Sequence, residues 1–139
     1  MTNFKVILDT NVLLVSIAKT SKYRPIFDSL INGKFQLVIT NEILSEYVEI
    51  IERKTNAIIS HNIAEFLIKS PNVEKIEVSY KWNLIEQDYD DNKFADAAIA
   101  GQTKYIITND KHFAILNDTP FPKVDTIKID DFLDLLAKN

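Results

Sequence analysis

The chain has 139 residues, 46% of them hydrophobic, which suits one globular domain with a sizeable core. Its two glycines cannot build a phosphate-cradling glycine-rich loop, and the absence of cysteine removes thiol catalysis, disulfides and zinc-thiolate sites. The 20 acids outnumber the 16 bases, and the net charge of −4 argues against gripping nucleic acid by bulk charge while leaving room for an enzyme that recruits cations.

In chain order, short β-rich runs alternate with helical patterns. Residues 4–8 run directly into Asp9 without a secretory pattern, and the apolar run 12–18 is too short to span a bilayer, so the expectation is a cytoplasmic protein with no membrane contact. Val6, Ile7 and Leu8 read as a buried strand, followed by helices over 12–19 and 25–31. Gly33 reads as a helix stop before a second strand over 35–39. Thr40-Asn41 looks like a cap for a helix carrying Ile43, Leu44, Tyr47, Val48, Ile50 and Ile51. A helix over 60–69 ends before Pro71, and Ile76 and Val78 alternate within a third strand over 73–79. Asp91 opens an alanine-rich helix to Gly101, a fourth strand covers 105–108, and a short helix covers 110–116. A fifth strand, expected at the sheet edge, covers 124–129 after Pro120 and Pro122, and Asp130 caps a last amphipathic helix to Leu136. Strands separated by helices predict right-handed βαβ units, a three-layer α/β/α sandwich with a mainly parallel sheet of about five strands, and one domain over residues 1–139.

In a parallel sheet all strands end on one edge, where ligands bind. Asp9 follows the first strand, Asp110 follows the fourth, Asp91 starts a helix, and Glu46 lies in the second turn of the helix after strand two. These four carboxylates are expected to converge. At about 100° per residue, Glu46 falls about 40° outside Ile50 on the margin of its apolar stripe, whereas Glu42 and Glu49 lie about twice as far out or more. Asp96 lies nearly opposite the face made by Phe94, Ala95, Ala98 and Gly101, and is expected in solvent. Asp88 and Asp90 precede the helix as capping or supporting groups. Crowded carboxylates repel one another unless a cation joins them. One or two Mg²⁺ or Mn²⁺ ions suit oxygen ligands, activate water and neutralise charge on a phosphodiester.

The motifs resemble a known family. Asp9-Thr10-Asn11-Val12 after a hydrophobic strand resembles the opening motif of PIN-domain ribonucleases, and Ser45-Glu46-Tyr47 resembles the segment with their helix-borne glutamate. Asp90-Asp91-Asn92-Lys93-Phe94 with Ala97-Ala98-Ile99-Ala100 resembles the third motif, and Ile106-Ile107-Thr108-Asn109-Asp110-Lys111-His112-Phe113 the fourth. The order and spacing run over essentially the whole chain and are most similar to bacterial toxin components of toxin–antitoxin systems, of the VapC type. The resemblance implies a Mg²⁺- or Mn²⁺-dependent endoribonuclease, a homodimer and a cognate antitoxin that blocks the site. Motif matching implies that Asp9, Glu46, Asp91 and Asp110 are the catalytic, metal-binding quartet, with Asn11 and Thr108 ordering the site by hydrogen bonds and Asp90 and Asn92 beside it. The third acid aligns as Asp90 or Asp91, and the helix-start position favours Asp91. Where the family commonly has glycines around the fourth strand, this chain has Gln102-Thr103-Lys104 and Asn109.

Lys19, Lys22, Arg24, Lys93 and Lys111 are candidates for RNA phosphate contact, and each equally fits a solvated basic face. Tyr80, Trp82 and Tyr89 suit core or dimer packing better than base stacking. His112 is a candidate for contact with RNA or a leaving group but fits an ordinary part of its helix better, and His61 has no supporting context. A haloacid-dehalogenase-like phosphatase also carries an Asp after strand one, but it needs a second Asp where this chain has Asn11. A non-catalytic PIN-fold module that binds RNA or protein is the other alternative to the nuclease.

Overall fold

The computed structural model describes residues 4–138. Five strands form one all-parallel sheet: β1 (Lys5–Leu8), β2 (Gln36–Ile39), β3 (Val73–Lys75), β4 (Tyr105–Ile107) and β5 (Asp125–Ile127), in the order β3-β2-β1-β4-β5. The helices are α1 (Thr10–Ile17), α2 (Arg24–Ile31), α3 (Asn41–Lys54), α4 (Ala57–Lys69), α5 (Asn92–Gly101), α6 (Ile115–Asp118) and α7 (Ile129–Ala137). Successive side chains of a strand face opposite sides of the sheet. Val6, Ile7 and Leu8 are all 0% exposed, so helices cover both sides of β1, as a three-layer α/β/α sandwich requires.

The order places β1 at the centre, with the chain running outward through β2 and β3 on one side and through β4 and β5 on the other. The strand order reverses between β1 and β4, and the crevice at their carboxyl ends is where such sheets bind ligands. Leu8 is paired with Ile107, so Asp9 and Thr108 emerge side by side there.

Among the expected elements that differ from those found, three have a plain local cause. The third strand stops at Lys75 instead of continuing to residue 79, because its partner β2 ends at Ile39 where Thr40 turns into α3. The Ile76 amide still donates to Ile39 O at 2.9 Å, and beyond it there is no strand to pair with. Asp130 does not cap α7: it sits in the first turn, and Asn109 from the loop after β4 accepts from the Ile129 amide at 3.0 Å instead. The fourth helix begins at Ala57, earlier than residue 60, because Asn56 Oδ1 accepts from Ile59 N at 2.9 Å and supplies its cap.

Asp96 is a further correction, since it is buried at 5% exposure rather than solvated. The expectation assumed that α5 has one covered face. The irregular segment 76–88 lies over the other, and Asp96 Oδ1 accepts from the Trp82 amide at 3.0 Å. The inner face of α5 sits so close to the sheet that a Cβ on Gly101 would lie 2.9 Å from Val38 Cγ1.

Candidate metal centre

The centre begins with the register of β1 and β4. Thr108 Oγ1 donates to Asp9 Oδ2 at 2.7 Å and accepts from Asp110 N at 3.0 Å, so one buried hydroxyl orients the first acid and fixes the backbone of the last. Asp9 stands at the N-cap position of α1, yet its carboxylate makes no capping hydrogen bond and is turned instead to Thr108. Burial pushes the Asp9 carboxyl above its usual range and the Thr108 hydroxyl draws it back, while the Asp110 and Glu46 charges raise it again.

Glu46 reaches the same end of the sheet from α3. Its Oε2 accepts from Thr10 Oγ1 and its Oε1 lies 2.7 Å from Lys93 Nζ. The Lys93 side chain is only 9% exposed; it also lies 2.8 Å from Asp90 Oδ1 and donates to Asp90 O at 3.0 Å. Burial works against the Lys93 ammonium, but the Asp90 and Glu46 carboxylates outweigh it and hold its pKa above the ordinary value. Lys93 in turn lowers that of Asp90.

Asp91 closes a short 3-10 turn over Tyr89–Asp91, directly before α5. Burial, and then the charges of Asp88, Asp110, Asp9 and Asp90, push its carboxyl up to about 7. Its Oδ2 is buried and has no hydrogen-bond partner. A carboxylate oxygen left so, among three other acids, fits the hard oxygen-liganding role of a divalent cation. Asp110 caps a second 3-10 turn over Lys111–Ala114, accepting from His112 N at 2.9 Å. A cavity of about 410 Å³ lined by Asp9, Asn11, Val15, Tyr23 and Asp110 opens beside these groups.

The structure therefore brings Asp9, Asp91 and Asp110 within mutual electrostatic influence, and Glu46 within that of Asp9. It gives Glu46 a different setting from the rest, with both oxygens already engaged. Of the residues expected to order the centre, Thr108 does so, whereas Asn11 is exposed and its side chain makes no hydrogen bond among the described residues. Asn92 is buried and turns away from the acids: it accepts from Ile85 N and donates to Ile85 O, both at 2.9 Å, tying down the segment before the turn.

Among the cations, Lys93 is committed to Glu46 and Asp90, and Arg24 pairs with Asp28 at 2.9 Å and donates to Ile17 O. Lys22 lies 3.5 Å from Asp130. Lys19 and Lys111 are exposed and form no ion pair among the described residues. Tyr80 and Tyr89 are exposed, with Trp82 edge-on to Tyr80 and to Phe121.

Two contributors were not marked in advance as parts of the centre. Tyr47, read only as a core residue, is fully buried and donates from its hydroxyl to Leu8 O at 2.5 Å, pinning α3 to the residue before Asp9. His112 is the other: its Nδ1 is buried, lacks a hydrogen bond and lies 3.5 Å from Asp110 Oδ1. Its position two residues after Asp110 was the available signal.

No curated protein shows significant sequence similarity to the chain. The fold is similar to that of VapBC2 from Rickettsia felis, solved bound to a DNA fragment from their promoter, at 19% identity and a TM-score of 0.61 over 89% of this chain and 98% of that one. It is also similar to VapBC-1 from nontypeable Haemophilus influenzae, at 16% identity and a TM-score of 0.61 over 91% and 98% of the two chains. Mycobacterium tuberculosis VapC20, described as a sarcin-ricin loop cleaving toxin, matches at 13% identity and a TM-score of 0.57 over 78% and 92%. A sequence-family model described as PIN domain matches residues 5–112, and the chain belongs to that family.

Proposed function

We propose that this chain is a divalent-cation-dependent endoribonuclease, a single domain over residues 1–139 that acts as the toxin of a toxin–antitoxin pair. The observation that supports this most is the mutual electrostatic influence of Asp9, Asp91 and Asp110 beside the switch between β1 and β4, with Glu46 influencing Asp9. Asp9, Asp91 and Asp110 are assigned as the residues that hold Mg²⁺ or Mn²⁺, and Glu46 as the acid that flanks them. A divalent cation bound there supplies a nucleophilic water at neutral pH and offsets charge on the phosphodiester.

The chain's own groups set the geometry. Thr108 holds Asp9 and the Asp110 backbone in one arrangement. Thr10 and Lys93 fix both oxygens of Glu46, so this carboxylate is preorganised beside the bond to be cut. Lys19 and Lys111, both exposed, are the side chains best placed to meet RNA phosphate, with Lys22 and Arg24 available once their carboxylate partners yield. RNA substrate, homodimer, cognate antitoxin and cytoplasmic location belong to this reading, and the likeness in fold to the VapBC complexes supports the antitoxin partner. Among the described residues no helix is long and apolar enough to cross a membrane.

The test is cleavage of mixed RNA by wild type and Asp9→Asn in Mn²⁺ and in Mg²⁺, with fragment ends mapped. Wild type is expected to leave 5′-phosphate and 3′-hydroxyl ends and the variant to lose at least a hundredfold in rate, by about the order removal of one charged catalytic group produces. Equal cleavage by both, or by neither, overturns the proposal, and the second result favours a non-catalytic RNA- or protein-binding module.

A further inference from the structure

Between the start of α3, the segment after β3 and α5 lies a cavity of about 680 Å³. Its size is that of a small-ligand site, for which roughly 300–1,000 Å³ is usual. None of Asp9, Asp91 and Asp110 lines it. Asp90 and Lys93 do, and Lys93 Nζ is 2.7 Å from Glu46 Oε1, so the cavity adjoins the four-acid centre without belonging to it.

Asp96 lines the same cavity, and it is only 5% exposed. Its Oδ1 accepts from the Trp82 amide at 3.0 Å, while its Oδ2 has no hydrogen bond and the group forms no ion pair among the described residues. A carboxylate offers about four acceptor positions, so most of this one's capacity is unused. Burying a charge is costly unless it is met by donors. The lining decides what kind of donor enters. Glu42, Glu77, Asp90 and Asp96 face Lys81 and Lys93, and Lys93 is already committed to Asp90 and Glu46. Such a lining repels phosphate and accepts N–H groups. Ile76 and Val78 supply half-buried apolar walls. Tyr89 lines the cavity too, is 67% exposed and makes no ring contact among the described residues. A flat heterocycle with N–H groups along one edge suits both the carboxylate and the ring. Among the nucleobases guanine alone turns two adjacent donors, N1–H and the N2 amine, towards one carboxylate. Adenine and cytosine set a ring acceptor beside their amine, and uracil has a single ring N–H.

We propose that this cavity is a guanine-selecting subsite, in which Asp96 accepts from N1–H and the N2 amine of a guanine beside the cut and Tyr89 stacks on the base. Stacking on an aromatic ring holds any base, and the carboxylate supplies the choice among them. Lys81, exposed at the rim, meets the phosphate of that nucleotide outside the acidic lining. The role in cleavage rests on the endoribonuclease reading, whereas binding of the base does not.

The experiment uses the full chain with its one tryptophan ¹⁵N-labelled, titrated in chelator with GMP, IMP, AMP, CMP and UMP. The Trp82 backbone amide donates to Asp96 and so reports on that carboxylate directly. GMP is expected to shift this amide, and IMP, which lacks the N2 amine, to bind at least about tenfold more weakly. Asp96→Asn keeps an acceptor for the Trp82 amide and should abolish the preference for GMP over IMP. Tyr89→Ala, at an exposed position, should weaken GMP binding severalfold, and it keeps the assignment testable if Asp96→Asn does not fold. Asp9→Asn should retain the GMP response even where it abolishes RNA cleavage, which separates this site from the nuclease proposal. With mapped RNA fragments, wild type is expected to cut with guanine at one fixed position beside the cut, and Asp96→Asn to cut without that preference. No shift with GMP, equal shifts with all five nucleotides, or undiminished GMP selectivity in both variants overturns the assignment. A shift with N-acetyl-arginine amide and none with GMP also overturns it, and assigns the cavity to a basic side chain of a protein partner.

Discussion

Lys93 Nζ sits 2.7 Å from Glu46 Oε1, so the helix that begins with one acid of the centre also delivers a positive charge to another. Removing one member of a largely buried ion pair leaves the other uncompensated. Lys93→Met is expected to destabilise the metal-free protein by about 1–3 kcal/mol, a figure reduced from the fully buried case because Glu46 keeps some solvent contact. The same change should tighten Mn²⁺ binding severalfold, since a positive charge beside the bound cation is gone. Urea denaturation with and without Mn²⁺ checks both statements; unchanged stability together with weakened Mn²⁺ binding would show that Lys93 does not act as an internal counter-charge.

The engagement of both Glu46 oxygens separates its role from that of Asp91. Glu46→Gln is expected to weaken Mn²⁺ binding less than Asp91→Asn does, because the Asp91 Oδ2 atom has no protein partner to give up. Calorimetric titration of the two variants decides it, and the reverse order of affinities would return Glu46 to the metal.

Asp91 also carries a pH signature. Its carboxyl is raised from 3.8 to about 7, first by burial and then by its acidic neighbours. The folded chain therefore binds more protons than the unfolded chain between about pH 4 and 7, so this group's contribution falls as pH rises through that window and levels off above it. Metal-free wild type should lose stability relative to Asp91→Asn across that window, and the two curves should run parallel above about pH 8. Thermal unfolding in chelator at a series of pH values reads the difference, and curves parallel throughout would contradict the raised value.

Much of this was legible in the chain itself. Asp9 and Asp110 were placed correctly because a buried apolar run such as Val6-Ile7-Leu8 or Tyr105-Ile106-Ile107 marks a strand, and in a parallel sheet its end is automatically at the ligand-binding edge. Asp96 and Asn92 were not, because both are governed by contacts with Trp82 and Ile85, in a stretch that has no periodicity to read. The apolar alternation of Ile76 and Val78 suggested a longer strand, although pairing depends on how far β2 extends and β2 stops at Ile39. For His112 the sequence offers only its place two residues after Asp110, and its nearness to Asp88 and Asp91 exists only once two turns distant in sequence are brought together.

The segment 76–88 itself is held by few polar ties, so its anchors should be individually visible. Asn92 makes two hydrogen bonds to the buried Ile85 backbone, and Asn92→Ala would leave that N–H and C=O unpaired. The expected cost is about 2 kcal/mol. Amide exchange over residues 82–88 should accelerate while β1 and β4 keep their protection. Uniform acceleration across the sheet would mean that Asn92 supports global folding and not this segment.

Tyr47 links α3 to the strand that carries the first acid. Its hydroxyl donates to Leu8 O at 2.5 Å, and burial, with the charges of Asp9 and Glu46, raises its pKa well above the ordinary phenol value, so it remains a donor throughout the physiological range. Tyr47→Phe keeps the ring and removes only this bond. The loss leaves a buried carbonyl with one partner fewer and should cost about 1–2 kcal/mol. Because Leu8 directly precedes Asp9, the strand end should also become less well fixed, lowering RNA cleavage severalfold while Mn²⁺ affinity changes by less than about threefold. Denaturation, cleavage rate and calorimetry on the one variant test the three parts together. A Tyr47→Phe protein with wild-type stability and cleavage would reduce this hydroxyl to a passive feature of the core.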